Sequence, residues 1–287
     1  MTVLGVCRTR YYVQPTRLRT RDGAAIAELQ AVHDDNPYYG VERLAIALGW
    51  SEAKARRIRN LAGIHIPRPS KKRRTGKPVA AEIAVAGNAL RAYATFKDAS
   101  RPQDGQSYSG MTKANAWVQD FTYIWFNGQW HYLAVVLEPK TRRILGWAVG
   151  LRHSSELTYA ALLDALSKYP PPGILHSDQG SEYLSYKHQE LCDRLGTILS
   201  CSAKGSPWQN GFMERWFGTF MHELGALSRF TDLARLHEGI AMQVYYYNTK
   251  RIHTALKMSP AAYAARLKTT RPRWPLGRDR VFAKVRG

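Results

Sequence analysis

From residue 22 to 63 the apolar positions recur at helical spacing in three blocks, Ala24 to Val32, Val41 to Leu48 and Glu52 to Ala62. In the third block Ala55, Ile58, Leu61 and Ala62 fall on one side, and Lys54, Arg56, Arg57 and Arg59 fall largely on the other. Gly49-Trp50 turns the chain between the second and third blocks, and Ser51 stands where a helix N-cap belongs. Two helices joined by a Gly-containing turn, the second rich in Lys and Arg, predict a helix-turn-helix-like module. Its four basic side chains are candidate DNA contacts, against the plainer reading of a solvated helix face.

Beyond Asn115 the helical spacing gives way to strand signals. Trp117 to Phe126 and Trp130 to Leu137 flank Asn127-Gly128, a strong hairpin marker, and Ile144 to Val149 adds a third strand to an antiparallel meander. Glu156 to Tyr169 reads as an Ala- and Leu-rich helix ended by Pro170-Pro171-Pro172-Gly173, after which the short strand Ile174-Leu175-His176 leads to Ser177-Asp178-Gln179-Gly180. Three antiparallel strands followed by helix, strand, helix, strand and helix make an α/β fold with a mixed five-stranded sheet. Ahead of this core, Pro67 to Pro78 is dense in Pro and positive charge and includes Lys71, Lys72, Arg73 and Arg74. Such a segment cannot bury a core and suits a linker following a phosphate backbone. A helix is expected near 80–97, then a Gly-, Ser- and Pro-rich stretch over 98–113. The expected domains are 1–66, a helical DNA-binding module; 67–113, a basic linker with one helix; 114–268, the catalytic core; and 269–287, a basic tail.

Charge sharpens this division. The 42 Lys and Arg against 22 Asp and Glu give a net charge of +20, which favours a polyanionic partner through counterion release. Residues 1–78 hold 16 basic and 6 acidic side chains, residues 250–287 hold 11 and 1, and the body between them holds 15 of each. A neutral body with two basic extremities fits a catalytic core flanked by arms that hold DNA. Cys7, Cys192 and Cys201 have no paired spacing, which argues against a disulfide framework and a structural zinc site. With no long apolar run and no secretory pattern, a cytoplasmic, nucleoid-associated protein without a membrane segment is expected.

Three acids stand out. Asp120 interrupts the strand Val118-Gln119-Asp120-Phe121-Thr122, where Asp is disfavoured and burial of its charge is costly without a cation. Asp178 sits at the C-terminal tip of the fourth strand, a position where α/β sheets place their chemistry. Glu214 lies in a helix opened by Pro207, with Met213, Phe217, Phe220 and Leu224 as its inward stripe and Asn210 one turn earlier on the same side. A helical Glu is ordinarily a solvated surface residue; its place, with 35 residues between Asp178 and itself, singles it out.

Ordered motifs run through most of the chain: Tyr38-Tyr39-Gly40, Trp117-Val118-Gln119-Asp120-Phe121-Thr122-Tyr123-Ile124, Tyr132-Leu133-Ala134-Val135-Val136 and Arg143-Ile144-Leu145-Gly146-Trp147. They continue with His176-Ser177-Asp178-Gln179-Gly180-Ser181-Glu182-Tyr183, Asn210-Gly211-Phe212-Met213-Glu214-Arg215 and Tyr247-Asn248-Thr249-Lys250-Arg251-Ile252-His253-Thr254-Ala255-Leu256. In these the chain resembles transposases of the retroviral-integrase superfamily, with an RNase H-like core and an acidic DDE triad. More specifically it resembles the bacterial insertion-sequence group whose catalytic protein is read from a second frame.

The resemblance implies an RNase H-like sheet and assigns Asp120, Asp178 and Glu214 as catalytic, metal-holding acids. Three carboxylates on separate elements are hard oxygen ligands and suit two Mg²⁺ (or Mn²⁺) ions shared with a substrate phosphate. The expected activity is cleavage and joining of insertion-sequence ends, first by water and then by the released 3′-OH. The expected partners are double-stranded DNA with terminal inverted repeats, target DNA, and further copies of the chain in a homo-oligomer on DNA. An upstream-frame product or fusion is also expected, because Leu4 to Tyr12 matches only the tail of the family's N-terminal portion. Where the family usually carries Lys or Arg seven residues after the glutamate this chain has Met221, which leaves His222 or Arg215 to make that DNA contact. Lys204, Asn210, Lys250 and Arg251 complete the candidate DNA contacts, and His176 is a candidate support for the acids. A catalytically inactive DNA-binding regulator derived from a transposase, or an RNase H-like nuclease, are the alternatives. The presence of all three acids weighs against the first, and the basic flanks weigh against the second.

Overall fold

A computed structural model describes residues 22–67, 87–95, 108–178, 180–203 and 206–269. Lys71, Lys72, Arg73, Arg74, Lys204 and the tail from residue 270 lie outside these. The three N-terminal helices form as the periodicity predicts: α1 (Gly23–Asp35), α2 (Val41–Leu48) and α3 (Glu52–Leu61). Gly49 ends α2 in the left-handed conformation, and the Ser51 hydroxyl accepts the Lys54 N–H to cap α3 at 3.2 Å. Leu29, Tyr39, Leu44 and Ile58 make their small core.

The central sheet is built on the hairpin. β1 (Ala116–Phe126) and β2 (Gln129–Leu137) pair antiparallel with Phe126 opposite Gln129. Asn127 and Gly128 both have positive φ, 47° and 78°, as a two-residue turn of this hand requires. β3 (Ile144–Gly150) pairs antiparallel with β2. After α4 (Ser155–Leu166) comes β4 (Ile174–Ser177), parallel to β1, then α5 (Tyr186–Leu195) and β5 (Ile198–Cys201), parallel to β4. The sheet order is β3-β2-β1-β4-β5, the mixed, RNase H-like arrangement that was expected.

Strand alternation divides the core between two faces. Val118, Leu133, Val135 and Leu137 pack beneath α6 (Gly211–Leu224) and α7 (Leu233–Thr249), against Met213, Trp216, Phe220, Leu236 and Ile240. Trp117, Ala134, Val136 and Leu145 face α4 through Leu157, Ala161, Leu162 and Ala165. Gly146 permits that approach, since a Cβ there would collide with the α4 backbone at Ala161 and Ala165. A final helix, α8 (Pro260–Thr269), packs on α7.

Two expectations change. The described part of the stretch read as a helix near 80–97 is a single 3-10 turn at Ala89–Tyr93, after which Ala94 is extended. Leu90, Tyr108 and Met111, from the stretch read as linker, are buried in the same cluster as Val118 and Trp216. The N-terminal module is also docked on the core. The Tyr39 hydroxyl accepts the Ile252 N–H at 2.7 Å, and the Tyr246 hydroxyl donates to Asn36 Oδ1 at 2.7 Å.

Candidate active site

β1 carries Asp120 to the edge of the α6-facing layer, and β4 ends one residue before Asp178, so the parallel β1–β4 pairing places the two acids side by side. Burial pushes the Asp120 carboxyl up to about 8, and Asp178 adds to the shift, followed by Glu182 and Glu214. The Phe121 N–H, donating to Asp120 Oδ1 at 2.8 Å, opposes it. Asp178 is raised as well, first by partial burial of its carboxyl and then by Glu182, against the opposing Gly180 N–H at 3.1 Å and His153.

Glu182 is the residue that sequence reasoning quoted in a motif without giving it a role. It is a buried carboxylate whose Oε1 meets His153 Nε2 at 2.8 Å. The His153 ring lies 4.0 Å from that of Phe121, beside Asp120 on β1, and stacks on Tyr132. Gly180 makes room for the carboxylate, because a Cβ at that position would overlap Glu182. A buried acid next to Gly180 in an otherwise polar loop is a weak signal, and His153 lies 29 residues away, so only folding reveals the pair.

Glu214 enters from the first turn of α6 on an exposed position. Asn210, just ahead of that helix, is 5% exposed and donates to the Gln119 carbonyl at 3.1 Å, which ties the start of α6 to the strand that carries Asp120. The donor set suits a hard divalent cation: oxygen ligands, with the charged form of Asp120 disfavoured by burial and then by like charge, which a cation would reverse. Among the described residues, no three His, Cys, Asp or Glu side chains lie close enough to hold one ion together. The acids share a field without converging on a point.

The candidate DNA contacts separate into exposed and committed side chains. Lys54 and Arg56 on α3, Arg215 on α6 and Lys250 at the end of α7 are exposed, with Lys54 Nζ 3.8 Å over the Trp50 ring. Arg57 is engaged by Asp22, with bonds of 2.5 and 3.0 Å, and Arg59 is half-buried and bonds Asn60. His222, expected on DNA, instead meets the edge of the Tyr38 ring in the N-terminal module and the Pro67 carbonyl at the start of the linker, at 3.3 Å. Arg251, also expected on DNA, is 3% exposed, and its guanidinium is held by both Glu223 oxygens at 2.7–2.9 Å. Its charge serves that buried pair rather than the surface. Asn210 is likewise turned inward by its bond to β1. His176 is fully buried between the Ser200 and Ser202 hydroxyls, at 2.8 and 3.0 Å, and burial lowers it to about 4. Met221 packs against the core.

Two family models, both described as integrase core domain, match residues 112–207 and 195–260. The transposase for insertion sequence element IS904 of Lactococcus lactis is 35% identical over 161 residues, 55% of this chain and 64% of that protein. The insertion element IS600 31 kDa protein of Shigella sonnei is 34% identical over 165 residues, 55% of this chain and 60% of that protein. The chain thus spans about three-fifths of the length of these curated relatives. Among solved structures, the HTLV-2 integrase catalytic core domain in complex with magnesium is 19% identical, with a TM-score of 0.44, over 52% of this chain and 94% of that one.

Proposed function

Because the chain belongs to the transposases of the retroviral-integrase superfamily, we propose that it cleaves insertion-sequence ends and joins them to new DNA. The observation that carries this reading is the pairing of a half-buried Asp120 with Asp178 on the adjacent strands β1 and β4, inside the integrase-core segment, with Glu214 near enough to raise Asp120 further. Asp120 and Asp178 would hold divalent metal from the sheet, and Glu214 would complete the set from α6. Mg²⁺ or Mn²⁺ bound there, expected as two ions, would stabilise the charge that develops on a scissile phosphate.

The chain's own residues do the positioning. Asn210 fixes the start of α6 against β1, and the His153–Glu182 pair and the Gly180 N–H set the loop that carries Asp178. Water attacks first and frees a 3′-OH, which then attacks a second phosphodiester; neither step needs a protein nucleophile. The DNA, with terminal inverted repeats, would lie along the exposed Lys54, Arg56 and Lys250, with Arg215 meeting the cut strand end beside Glu214. Lys71, Lys72, Arg73, Arg74 and Lys204 are further contacts proposed on sequence alone. Two ends processed together call for a homo-oligomer on DNA, and an upstream-frame product is its expected partner. Among the described residues no helix is long and apolar enough to cross a membrane.

The test is incubation with labelled terminal-repeat DNA and Mg²⁺, scored for 3′-end cleavage and strand-transfer products. Asp178→Asn should remove both while DNA binding persists, and full activity in that variant would defeat the reading. Binding without either product would identify an inactive regulator, and cleavage without joining would identify a nuclease.

A further inference from the structure

Beside Glu214 lies a cavity of about 660 Å³ into which four arginines converge from distant parts of the chain: Arg43 of α2, Arg142 of the β2–β3 turn, Arg215 of α6, and Arg251 beyond α7. That volume is within the range of small-ligand sites. Two carboxylates accompany them. Glu214 lines the rim, and Glu223 pairs with Arg251 and stands 4.0 Å from Arg43. His253 also lines the cavity, and burial followed by the four arginines lowers its imidazole to about 4, so it adds no competing charge at neutral pH.

Two features mark this cavity as a ligand site rather than a by-product of packing. Buried nitrogens of four lining residues, Arg43 Nε, Arg142 Nε, Trp216 Nε1 and His253 Nδ1, have no hydrogen-bond partner among the described residues, a rare and costly condition. Arg142 also adopts a left-handed backbone, φ 64°, in a turn closed by its N–H to the Glu138 carbonyl at 2.8 Å, and its guanidinium rests 4.1 Å over the Phe212 ring. A long side chain held in that region is uncommon and marks a constrained position.

The walls include Tyr108, Trp216 and Arg251, all buried, so the ligand must be slender. A duplex presents its phosphates on a convex surface and cannot enter, whereas the end of a single strand can. We propose that this cavity receives the phosphorylated 5′ end of a DNA strand. The inference rests on the chain acting at DNA ends. Hydrolysis that frees a 3′-OH adds the water oxygen to phosphorus, breaks the P–O3′ bond, leaves a proton on the departing 3′ oxygen, and so puts a phosphomonoester on the adjoining 5′ end. A monoester carries close to two charges at neutral pH against one for a diester, which matches a cluster of guanidiniums suited to phosphate.

The test is binding of the full chain, in EDTA so that no chemistry occurs, to a fluorescent duplex with a short single-stranded 5′ tail ending in phosphate or in hydroxyl. The phosphorylated tail should bind about tenfold more tightly. Arg142→Asn, chosen because Asn tolerates the left-handed backbone, and Arg215→Gln, on an exposed helix position, should each bring the two tails close to parity. Equal affinity of the wild type for both tails would overturn the proposal. So would variants that weaken both tails equally, the mark of a general backbone contact. If Arg142→Asn fails to fold by circular dichroism, Arg215→Gln decides. Retained strand transfer by Asp178→Asn would defeat the metal-triad reading and leave this result standing, so the two failures are distinguishable.

Discussion

The acids carried by β1 and β4 and the arginines of the cavity meet at Glu214, and in each group folding has gathered like charges into partly desolvated space. Burial and neighbouring carboxylates push Asp120 toward its neutral form, and burial and neighbouring arginines do the same in the opposite sense to His253. They differ in how the protein compensates. The arginine group has an internal counterion in Glu223, buried with Arg251. The acidic group has His153 on Glu182, and among the described residues no cationic side chain pairs with Asp120. Arg251, with its internal partner, is architecture, whereas Asp120 and the cavity-lining Arg142 and Arg215 are placed for ligands of opposite sign.

The comparison can be broken at several points. The largest effect is expected for Asp178→Asn, which should lower cleavage and joining by at least about 10³-fold in a gel assay while leaving the melting temperature near wild type. If Arg251–Glu223 is architecture, Arg251→Ala should cost about 3–5 kcal/mol in urea denaturation, because it leaves Glu223 buried and unpaired; a loss confined to DNA binding would move Arg251 into the ligand-binding class.

The acidic group has its own signature in pH. The folded Asp120 pKa of about 8 lies above its ordinary 3.8, so its contribution to stability is full below the unfolded pKa and is lost as pH rises through 8. In EDTA the chain should lose stability from pH 4 to 8 by no more than about 1.4 kcal/mol per unit, and Asp120→Asn should remove that component. His176, His188 and His253, each lowered to about 4, contribute the opposite slope, present above their unfolded value near 6.5 and lost below it. The difference between wild type and variant between pH 6.5 and 8 therefore isolates Asp120. A flat difference would show that the acid is not strained, and added Mg²⁺ should abolish a real one. The smallest effect is Tyr39→Phe, which leaves the Ile252 N–H unpaired and should cost about 0.5–1.5 kcal/mol by denaturation. It tests whether the helical module that brings Arg43 to the cavity is held there by this contact.

Much of the fold was legible because its signals are local. The Asn127-Gly128 turn, the alternation in β1 and β2, and the Ser51 cap act within a few residues and appear where they were expected. The described part of the helix expected near 80–97 departs from that reading for a related reason. Leu90 reads as part of a periodic stretch, yet in the core it is one anchor of a short turn inserted beside Tyr108 and Met111. At the site, Asp120 and Asp178 were legible from an acid in a strand and an acid at a strand tip, whereas Glu182 and Arg142 carried no local mark.

The sequence by itself determined the order of elements, the mixed sheet, the faces to be buried and the acids set within one strand and at the tip of another, because periodicity and turn chemistry are properties of neighbouring residues. Only the tertiary structure decided the fate of each charge. It buried Arg251 on Glu223, turned Asn210 onto the Gln119 carbonyl, placed Glu182 behind Asp178, and drew arginines from positions 43, 142, 215 and 251 to one cavity. The physical reason is that a charged side chain has no fixed role of its own. Its energy depends on desolvation and on which partner lies across the gap, and both are set by packing between segments far apart in the chain.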